Sequence, residues 1–388
     1  MATYDLLVVG GGVQGLWVAR CAVLAGLKVA LMEAEHCGAG ASGGLLGALM
    51  PHVATGWSEK KQFQFAALVG LEAQTQLLQD ETGLDSGYAR CGRVMPIRAK
   101  GFLDQFESRR IATWQHWRAP SQRFELSLLE TDAFRAWLAP EAAGLGVFWD
   151  PLAARIDPQR YIAALKASIV ERCDVLEGCR FAGFDAATGQ VSCESGGGDI
   201  LAGAVVLAAG YETFGLTQAM TGLNLGRGIK GQAVVLAAKM PVERPIIFDD
   251  GMYIVAHTPT LCAVGSTTEN DWTDPRSTDD GMAAKLEQAR RLCPPLRNAE
   301  VMASWAGVRP QSAARDPIAG QLLDDAPVYI AGGGFKITLA IAHLVADRLI
   351  DGIVQNRAPT GLPASFAPDV HVAAAQKKLD SPVTAEIA

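Results

Sequence analysis

Three short, mainly hydrophobic runs, each leading into glycine, dominate the pattern of hydrophobic and polar positions in this chain. They cover residues 4–9, 204–209 and 328–331. Continuous hydrophobic runs of this length are typical of strands that a parallel sheet buries on both faces. The carboxyl ends of such strands share one sheet edge, and ligands bind outside that edge. We therefore predict an α/β fold in which three glycine-ended strands present bare backbone to one long ligand.

The first run opens a complete dinucleotide-binding pattern. A glycine turn follows it at residues 10–15, then a helix of small residues, a second strand at 29–32 and the acid Glu33. Gly10 allows the tight turn, Gly12 lets a pyrophosphate approach the backbone, and Gly15 lets the helix pack close to the sheet. The helix N-terminus attracts phosphate, and Glu33 is placed to bind ribose hydroxyls and to disfavour NADP.

FAD is long enough to cross this edge, with its ADP half at residues 10–33 and its flavin near the later glycine runs. No second complete glycine fingerprint occurs between residues 100 and 330, which argues against a reductase that binds FAD and NADPH together. The predicted cofactor-binding residues are Gly10, Gly12, Val13, Gln14, Gly15, Glu33, Ala41, Ser42, Phe181, Ala209, Gly210, Gly333, Gly334, Phe335 and Lys336.

The pattern of hydrophobic and polar residues changes in the middle of the chain, and this change predicts a second domain. The pattern there indicates strands at 230–237, 245–248, 252–256 and 261–265 and an amphipathic helix at 279–293, and the glycines at 196–198 indicate a hairpin loop. We predict a discontinuous Rossmann-like FAD-binding domain and an α+β substrate-binding domain on a mainly antiparallel sheet. The first takes residues 1–85, 146–215 and 325–388, and the second takes 86–145 and 216–324.

Composition narrows the class of protein. A chain of 388 residues with 49% hydrophobic and 19% charged residues fits about two well-packed domains. The formal net charge of −7 argues against general nucleic-acid binding. The eight cysteines form no C-x-x-C pair and the six histidines show no ligand spacing, so no metal site is expected. Without a signal-peptide pattern or an 18-residue apolar run, we expect a cytoplasmic enzyme.

Five segments together resemble the D-amino acid oxidase superfamily of FAD-dependent oxidoreductases, in particular its glycine oxidase- and sarcosine oxidase-like members. They are the N-terminal fingerprint with GASGG at 40–44, VVLAAG at 205–210, MYIV at 252–255 with VGST at 264–267, WAGVRP at 305–310, and GGGFK at 332–336. Sarcosine oxidases attach flavin through a cysteine after the fourth segment. Residues 309–317 contain none, so the resemblance implies non-covalent FAD here.

The resemblance implies removal of hydride from the carbon beside an amine to flavin N5, giving an imine that hydrolyses. It assigns Arg309 to the substrate carboxylate, which a guanidinium binds with two parallel hydrogen bonds. The alternative for Arg309 is a structural ion pair with Asp316 or Asp249. Lys336 is the second carboxylate candidate, or else a surface lysine.

Four further side chains belong to the candidate site, and all but Trp305 carry two interpretations. Tyr253 is placed to hydrogen-bond the carboxylate, or is simply an aromatic residue on a strand. His52 borders the substrate or is incidental, and Trp305 is expected to pack beneath Arg309. Ser42 is placed to donate to a phosphate, as in the family, or to cap a helix.

The expected substrate is a small amino acid: a D-amino acid, glycine or an N-substituted glycine. Residues 42–43 together with 47–51 also look like the oxidase half of a bacterial enzyme that modifies the tRNA wobble uridine, so a carboxymethylaminomethyl-type base is one alternative. A flavin subunit without turnover is another. The sequence leaves open whether oxygen or another acceptor takes the electrons, and whether copies of the chain associate.

Overall fold

A computed structural model describes residues 2–119, 122–194 and 200–380. The helices are α1 (Val13–Leu24), α2 (Glu59–Thr82), α3 (Lys100–Leu103), α4 (Phe106–His116), α5 (Pro158–Ala167), α6 (Thr213–Thr221), α7 (Asp280–Leu292), α8 (Thr338–Val354) and α9 (Pro368–Asp380). The strands are β1 (Ala2–Val9), β2 (Val29–Glu33), β3 (Ala48–Leu49), β4 (Arg93–Pro96), β5 (Ser127–Leu129), β6 (Val147–Asp150), β7 (Ala154–Arg155), β8 (Cys173–Glu177), β9 (Phe181–Asp185), β10 (Gln190–Cys193), β11 (Ile200–Leu207), β12 (Gly226–Ala237), β13 (Ile246–Asp249), β14 (Met252–Ala256), β15 (Leu261–Gly265), β16 (Glu300–Ser312), β17 (Ile318–Gln321) and β18 (Val328–Gly332).

The first sheet confirms the pattern of glycine-ended strands. Its order is β17-β18-β11-β1-β2-β8, with β10 paired to the start of β11 and β9 to β10. Strand β1 runs parallel to β11, and β11 runs parallel to β18, with Val9 opposite Leu207 and Leu207 opposite Ile330. The glycines that follow these three strands therefore lie along one edge of the sheet.

Helices cover this sheet because their hydrophobic faces need a partner. Helices α1, α2, α5 and α8 share one core with it, and the Trp17 indole N–H donates to the Tyr161 hydroxyl oxygen at 2.7 Å between α1 and α5. Local signals set the ends of α2: Ser58 Oγ accepts from the Lys61 N–H, and Gly83 closes the helix at φ 70°. The third glycine run is followed by the mainly hydrophobic helix α8, which extends from Thr338 to Val354.

The second sheet is mainly antiparallel, as predicted, with the order β16-β12-β15-β14-β13-β4-β6-β5. Strands β14 and β15 match the predicted bounds, β12 starts four residues earlier than predicted, and α7 fills the predicted helix. The long strand β16 completes this sheet by pairing with β12 from Glu300 to Ser312. The mainly parallel first sheet with its helices and the mainly antiparallel second sheet agree with the predicted fold class, a Rossmann-like layer with an α+β layer.

Two domain boundaries from the sequence analysis are corrected by the strand pairing. Strand β6 lies inside the predicted 146–215 segment of the first domain but pairs with β4 and β5 of the second sheet. Strand β17 lies inside the predicted 216–324 segment but pairs with β18 of the first sheet. Both are four-residue strands whose partners are set by tertiary packing, which a local pattern does not reveal.

Two further sequence-based expectations concern a glycine loop and membrane-spanning segments. The glycine loop predicted at 196–198 lies outside the described residues. Among residues 2–119, 122–194 and 200–380, the structure has no helix of the length and hydrophobicity that a bilayer crossing requires.

The contact between the first glycine turn and α1 leads to a stability prediction. A Cβ added at Gly15 would overlap the carbonyl oxygen of Gly10, so the helix would have to move away from the sheet. We expect Gly15→Ala to lower the unfolding free energy by about 1–3 kcal/mol, the usual cost of overpacking. Thermal unfolding followed by circular dichroism measures this. The matched control is Gly101→Ala, where nothing lies within 4 Å of the added methyl group, and an equal response from both variants would contradict the prediction.

Candidate active site

The two sheets enclose a cavity of about 1110 Å³. The glycine edge of the first sheet forms one wall, and one face of the second sheet forms the opposite wall. Residues directly opposite each other on paired strands point to the same side. Pairing places on this face the wall residues Trp305, Ala233, Tyr253, Phe248 and Arg93, from five strands. Strand alternation adds Arg309, four residues after Trp305 on β16.

The first glycine turn is shaped by close backbone approach. Gly10 has φ 111°, and a Cβ there would lie 2.5 Å from the carbonyl oxygen of Ala208. Gly12 precedes α1 and has no side chain to cap it. Instead, Ser42 Oγ accepts a hydrogen bond from the Val13 N–H at 3.0 Å. Ser42 therefore caps the helix, and its own O–H is left to donate into the cavity.

Glu33 stabilises the same turn. Its Oε2 accepts from the Gly11 N–H at 2.7 Å, and its Oε1 accepts from the Glu35 N–H at 2.9 Å. The carboxylate is half-buried in the cavity wall and retains acceptor capacity, because each carboxylate oxygen has two lone pairs. Glu33 therefore holds the glycine turn and can still accept from a ligand hydroxyl.

Most of the predicted cofactor-binding residues lie in the cavity wall: Gly10, Gly12, Val13, Gln14, Glu33, Ala41, Ser42, Phe181, Ala209, Gly210, Phe335 and Lys336. Gly15, Gly333 and Gly334 lie behind the wall. Gly333 has φ 67°, and a Cβ there would lie 2.8 Å from that of Ser312. In this third run, Gly332 is the glycine that faces the cavity.

Arg309 extends across Gly231 on the neighbouring strand, where any Cβ would overlap its guanidinium group. The guanidinium donates to Ser266 Oγ at 3.0 Å and to the carbonyl oxygens of Lys230 at 3.2 Å and Thr267 at 2.7 Å. Its Nε is buried without a hydrogen-bond partner among the described residues. Burial lowers the pKa of Arg309 to about 10, so the group is still charged at neutral pH.

No ion pair within the described part of the chain involves Arg309, so the structural alternative for this residue is not found. Asp316 pairs with Lys60, and Asp249 pairs with Arg98 at 2.9 Å. The three partners of Arg309 are neutral oxygens. Glu269 acts on Arg309 only from a distance, and a partly desolvated cation that no carboxylate contacts is costly for the protein alone and suited to bind an anion.

Phe335, from the loop that leads into α8, lies close to two cations. The Arg309 Cζ lies 5.4 Å from the centre of its ring, and the Lys336 Nζ lies 5.3 Å from it. Lys336 is exposed and donates to Thr268 Oγ1 at 3.2 Å. Partial desolvation of its ammonium group at the cavity wall, followed by the like charge of Arg309, lowers the pKa of Lys336. The loop therefore brings a second cation to the anion site.

Tyr253 and His52, two of the candidate substrate-site residues, both lie in the cavity wall. Tyr253 packs against Phe248 with ring centres 4.8 Å apart, and burial raises the pKa of its phenol. His52 Nδ1 is buried without a hydrogen-bond partner in the described structure. Burial, then the charges of Lys60 and Lys61, lower the pKa of His52, so its ring is neutral at pH 7. The Trp305 ring lies over Gly307 and Gly44.

Two wall features escaped the sequence analysis. Arg93 enters the cavity from β4, a strand that no sequence motif marks. Gly231 provides the space for Arg309, and the glycines at 226, 228 and 231 were the available signal, because glycine inside a strand often marks close approach of another group.

The comparisons with known proteins agree with this geometry. The family described as "FAD dependent oxidoreductase" (DAO) matches residues 5–348. The chain belongs to this family. It is 27% identical over 363 residues to a glycine oxidase of Geobacillus kaustophilus, which covers 90% of this chain and 92% of that protein.

Solved structures of two other proteins share the fold. A crystal structure of glycine oxidase from Geobacillus kaustophilus superposes with a TM-score of 0.84 at 24% identity, over 95% of this chain and 98% of that one. An iminodiacetate oxidase from Chelativorans sp. BNC1 superposes with a TM-score of 0.80 at 20% identity, over 94% and 98%. FAD is thus the cofactor of this oxidoreductase, and the Rossmann-like layer with a substrate layer is the family architecture.

The Arg309–Gly231 contact gives a direct test of the anion site in this FAD-dependent oxidoreductase. Because an added methyl group would displace the guanidinium, we expect Gly231→Ala to weaken acetate binding by about tenfold, or 1.4 kcal/mol. Titration of the holoenzyme, followed by flavin absorbance, measures the dissociation constant. Gly144→Ala, at a position open to solvent, serves as the control and should leave it unchanged. Unaltered acetate binding in Gly231→Ala would contradict the assignment of the site.

Proposed function

We propose that this oxidoreductase oxidises the C–N bond of a small amino acid, which is a D-amino acid, glycine or an N-substituted glycine. The observation that carries the proposal is the Arg309 guanidinium, charged, partly desolvated and without a carboxylate partner in the described structure. It lies in the wall opposite the glycine edge of the first sheet. The glycine oxidase relative supports the same substrate class.

The residues at the glycine edge fit FAD. Gly10 and Gly12 leave the backbone bare, the Ser42 hydroxyl lies at the α1 N-terminus with its O–H free to donate, and Glu33 retains lone pairs for ribose hydroxyls. Ala209 and Gly210 line the cavity between this turn and Phe335. FAD, when bound, supplies a hydride acceptor at flavin N5. We propose that it is held without a covalent bond, since residues 309–317 contain no cysteine.

The protein's own part in the reaction is to bind and orient the substrate. We propose that Arg309 holds the carboxylate with two parallel hydrogen bonds and that Lys336 adds a second positive charge beside it. Tyr253 lines the same wall and donates its phenolic hydrogen to the bound carboxylate. The neutral ring of His52 borders the substrate amine, whose proton leaves to water before oxidation.

An anaerobic screen tests the substrate class. Glycine, sarcosine, D-alanine and D- and L-proline are mixed with the oxidised holoenzyme, and loss of the flavin absorbance band reports reduction. We expect at least one of them to bleach the flavin without a partner protein. A holoenzyme that no amino acid reduces would favour the alternative of a flavin subunit without turnover, and reoxidation in air would separate an oxidase from a dehydrogenase.

The mode of FAD attachment gives a second prediction. We expect acid precipitation of the yellow holoenzyme to leave all of the flavin in the supernatant, because no cysteine follows Arg309 where related enzymes attach it. Absorbance of the supernatant and of the washed pellet at the flavin band measures this. Flavin that stays with the pellet would refute non-covalent binding.

Substitution of Arg309 gives a third. We expect Arg309→Met to raise the apparent KM for the best amino acid by about tenfold or more, because the carboxylate loses a charged partner worth 1.4 kcal/mol or more. Arg309→Lys should recover part of the loss, since lysine restores the positive charge but not the two parallel N–H donors of the guanidinium group. Arg291→Met, on the exposed face of α7, is the control. Unchanged kinetics in Arg309→Met would remove Arg309 from the substrate site.

A further inference from the structure

A second arginine lies in the cavity wall and has no part in the function proposed above. Arg93 is the first residue of β4, is 9% exposed, and shares the cavity face with Phe248 and Tyr253. Its Cζ lies 5.7 Å from the centre of the Phe248 ring. The guanidinium is thus removed from bulk water and borders the same cavity as Arg309.

The hydrogen bonds of Arg93 leave it incompletely satisfied. Its Nη2 donates to Asp150 Oδ2 at 2.6 Å, while Asp150 Oδ1 accepts from the Leu152 N–H at 2.9 Å. The Nε of Arg93 is buried and has no acceptor among the described residues. A buried donor without an acceptor costs about 1–3 kcal/mol, which a ligand that brings an acceptor would recover.

The spacing of the strands separates the two guanidinium groups. Tyr253 lies on β14, next to the strand that carries Ser266 at its end, and Arg309 donates to Ser266. Strand β4 lies three positions from β15 in the sheet, which corresponds to ~14 Å between these two strands. A ligand whose carboxylate is bound at Arg309 would need a chain of several atoms to reach Arg93.

The charge of this wall favours an acidic group on that chain. The cavity-lining residues that the second sheet contributes include Arg93 and Arg309 but no aspartate or glutamate. Asp150 balances Arg93 from behind the wall, being fully buried. The groups that face a ligand between the two arginines are therefore donors and aromatic rings.

We propose that Arg93 binds a second carboxylate of the substrate, so that the preferred substrate is a dicarboxylic amino acid whose second acid lies on an extended N-substituent or side chain. This proposal rests on the proposed function, because Arg309 holds the first carboxylate. Arg93 is a specificity-determining residue in this arrangement, and a spacer longer than one carbon should be preferred.

Matched substrate pairs test the second carboxylate. The pairs are N-(3-carboxypropyl)glycine with N-butylglycine and N-(2-carboxyethyl)glycine with N-propylglycine, and the readout is the second-order rate constant of anaerobic flavin reduction. We expect the diacid of each pair to react about tenfold faster or more, because its second carboxylate gains one charged hydrogen-bonding partner, the Arg93 guanidinium. Calorimetric binding of glutarate and butyrate to the oxidised holoenzyme gives a readout that needs no turnover.

Three variants separate Arg93 from its surroundings. Arg93→Lys keeps a cation beside Asp150 but removes Nε. Arg93→Met with Asp150→Asn removes the ion pair without leaving a buried charge, and the amide oxygen still accepts from the Leu152 N–H. Arg109→Met is the control, because Arg109 stacks over Phe148 near Arg93 and is not among the cavity-lining residues.

We expect the diacid preference to fall to about threefold or less in the Met/Asn double variant, to fall partly in Arg93→Lys, and to be retained in Arg109→Met. Equal rates for both members of each pair in the unaltered enzyme, or a preference that survives in the double variant, would overturn the role of Arg93. If the role of Arg93 is overturned in this way but glycine or sarcosine still reduces the flavin, the proposed function remains supported. If no amino acid reduces the flavin, the proposed function fails, and the glutarate and butyrate affinities still decide for or against Arg93.

Discussion

The site depends on a guanidinium group held away from water with no carboxylate of the described residues in contact with it. Burying an unpaired cation costs several kcal/mol, and hydrogen bonds to a charged group return about 1.5–3 kcal/mol each. Arg309 has three such bonds, all to neutral oxygens of β12 and the end of β15. They hold the group charged and oriented, and they leave its charge for a ligand. This balance works only because Gly231 leaves space for the guanidinium beside the sheet.

The register of the second sheet determines which side chains lie beside Arg309 in the cavity wall. Side chains alternate along a strand, so a slip of one residue in the β12–β16 pairing would turn Arg309 to the opposite face. The pairing runs over the full length of both strands, which fixes the register strongly. Phe335 then comes from the other layer and packs over the same guanidinium. The anion site is thus built from two layers that the glycine edge of the first sheet brings together.

The parts of this structure that the sequence predicted are those with local causes. Strands β1, β11 and β18 are hydrophobic runs that end in glycine, and the fingerprint from Gly10 to Glu33 is a continuous segment. The parts that it did not predict depend on distant pairing. Arg93 reaches the cavity because β4 pairs with β13, more than 150 residues later in the chain. Strands β6 and β17 join the sheets opposite to those expected for the same reason.

The two ends of the cavity differ in how their charges are balanced. At the nucleotide end, Glu35 pairs with Arg276 and Glu212 pairs with Arg180, and Glu33 accepts from backbone N–H groups. At the sheet end, the charges of Arg309 and Lys336 have no carboxylate partner in the described structure. Fields in a low-dielectric cavity are strong at short range, so an anionic amine is drawn to one end. A chain with a net charge of −7 can therefore bind an anion, because the electrostatic field at the ligand depends on which nearby charges are paired and not on the net charge.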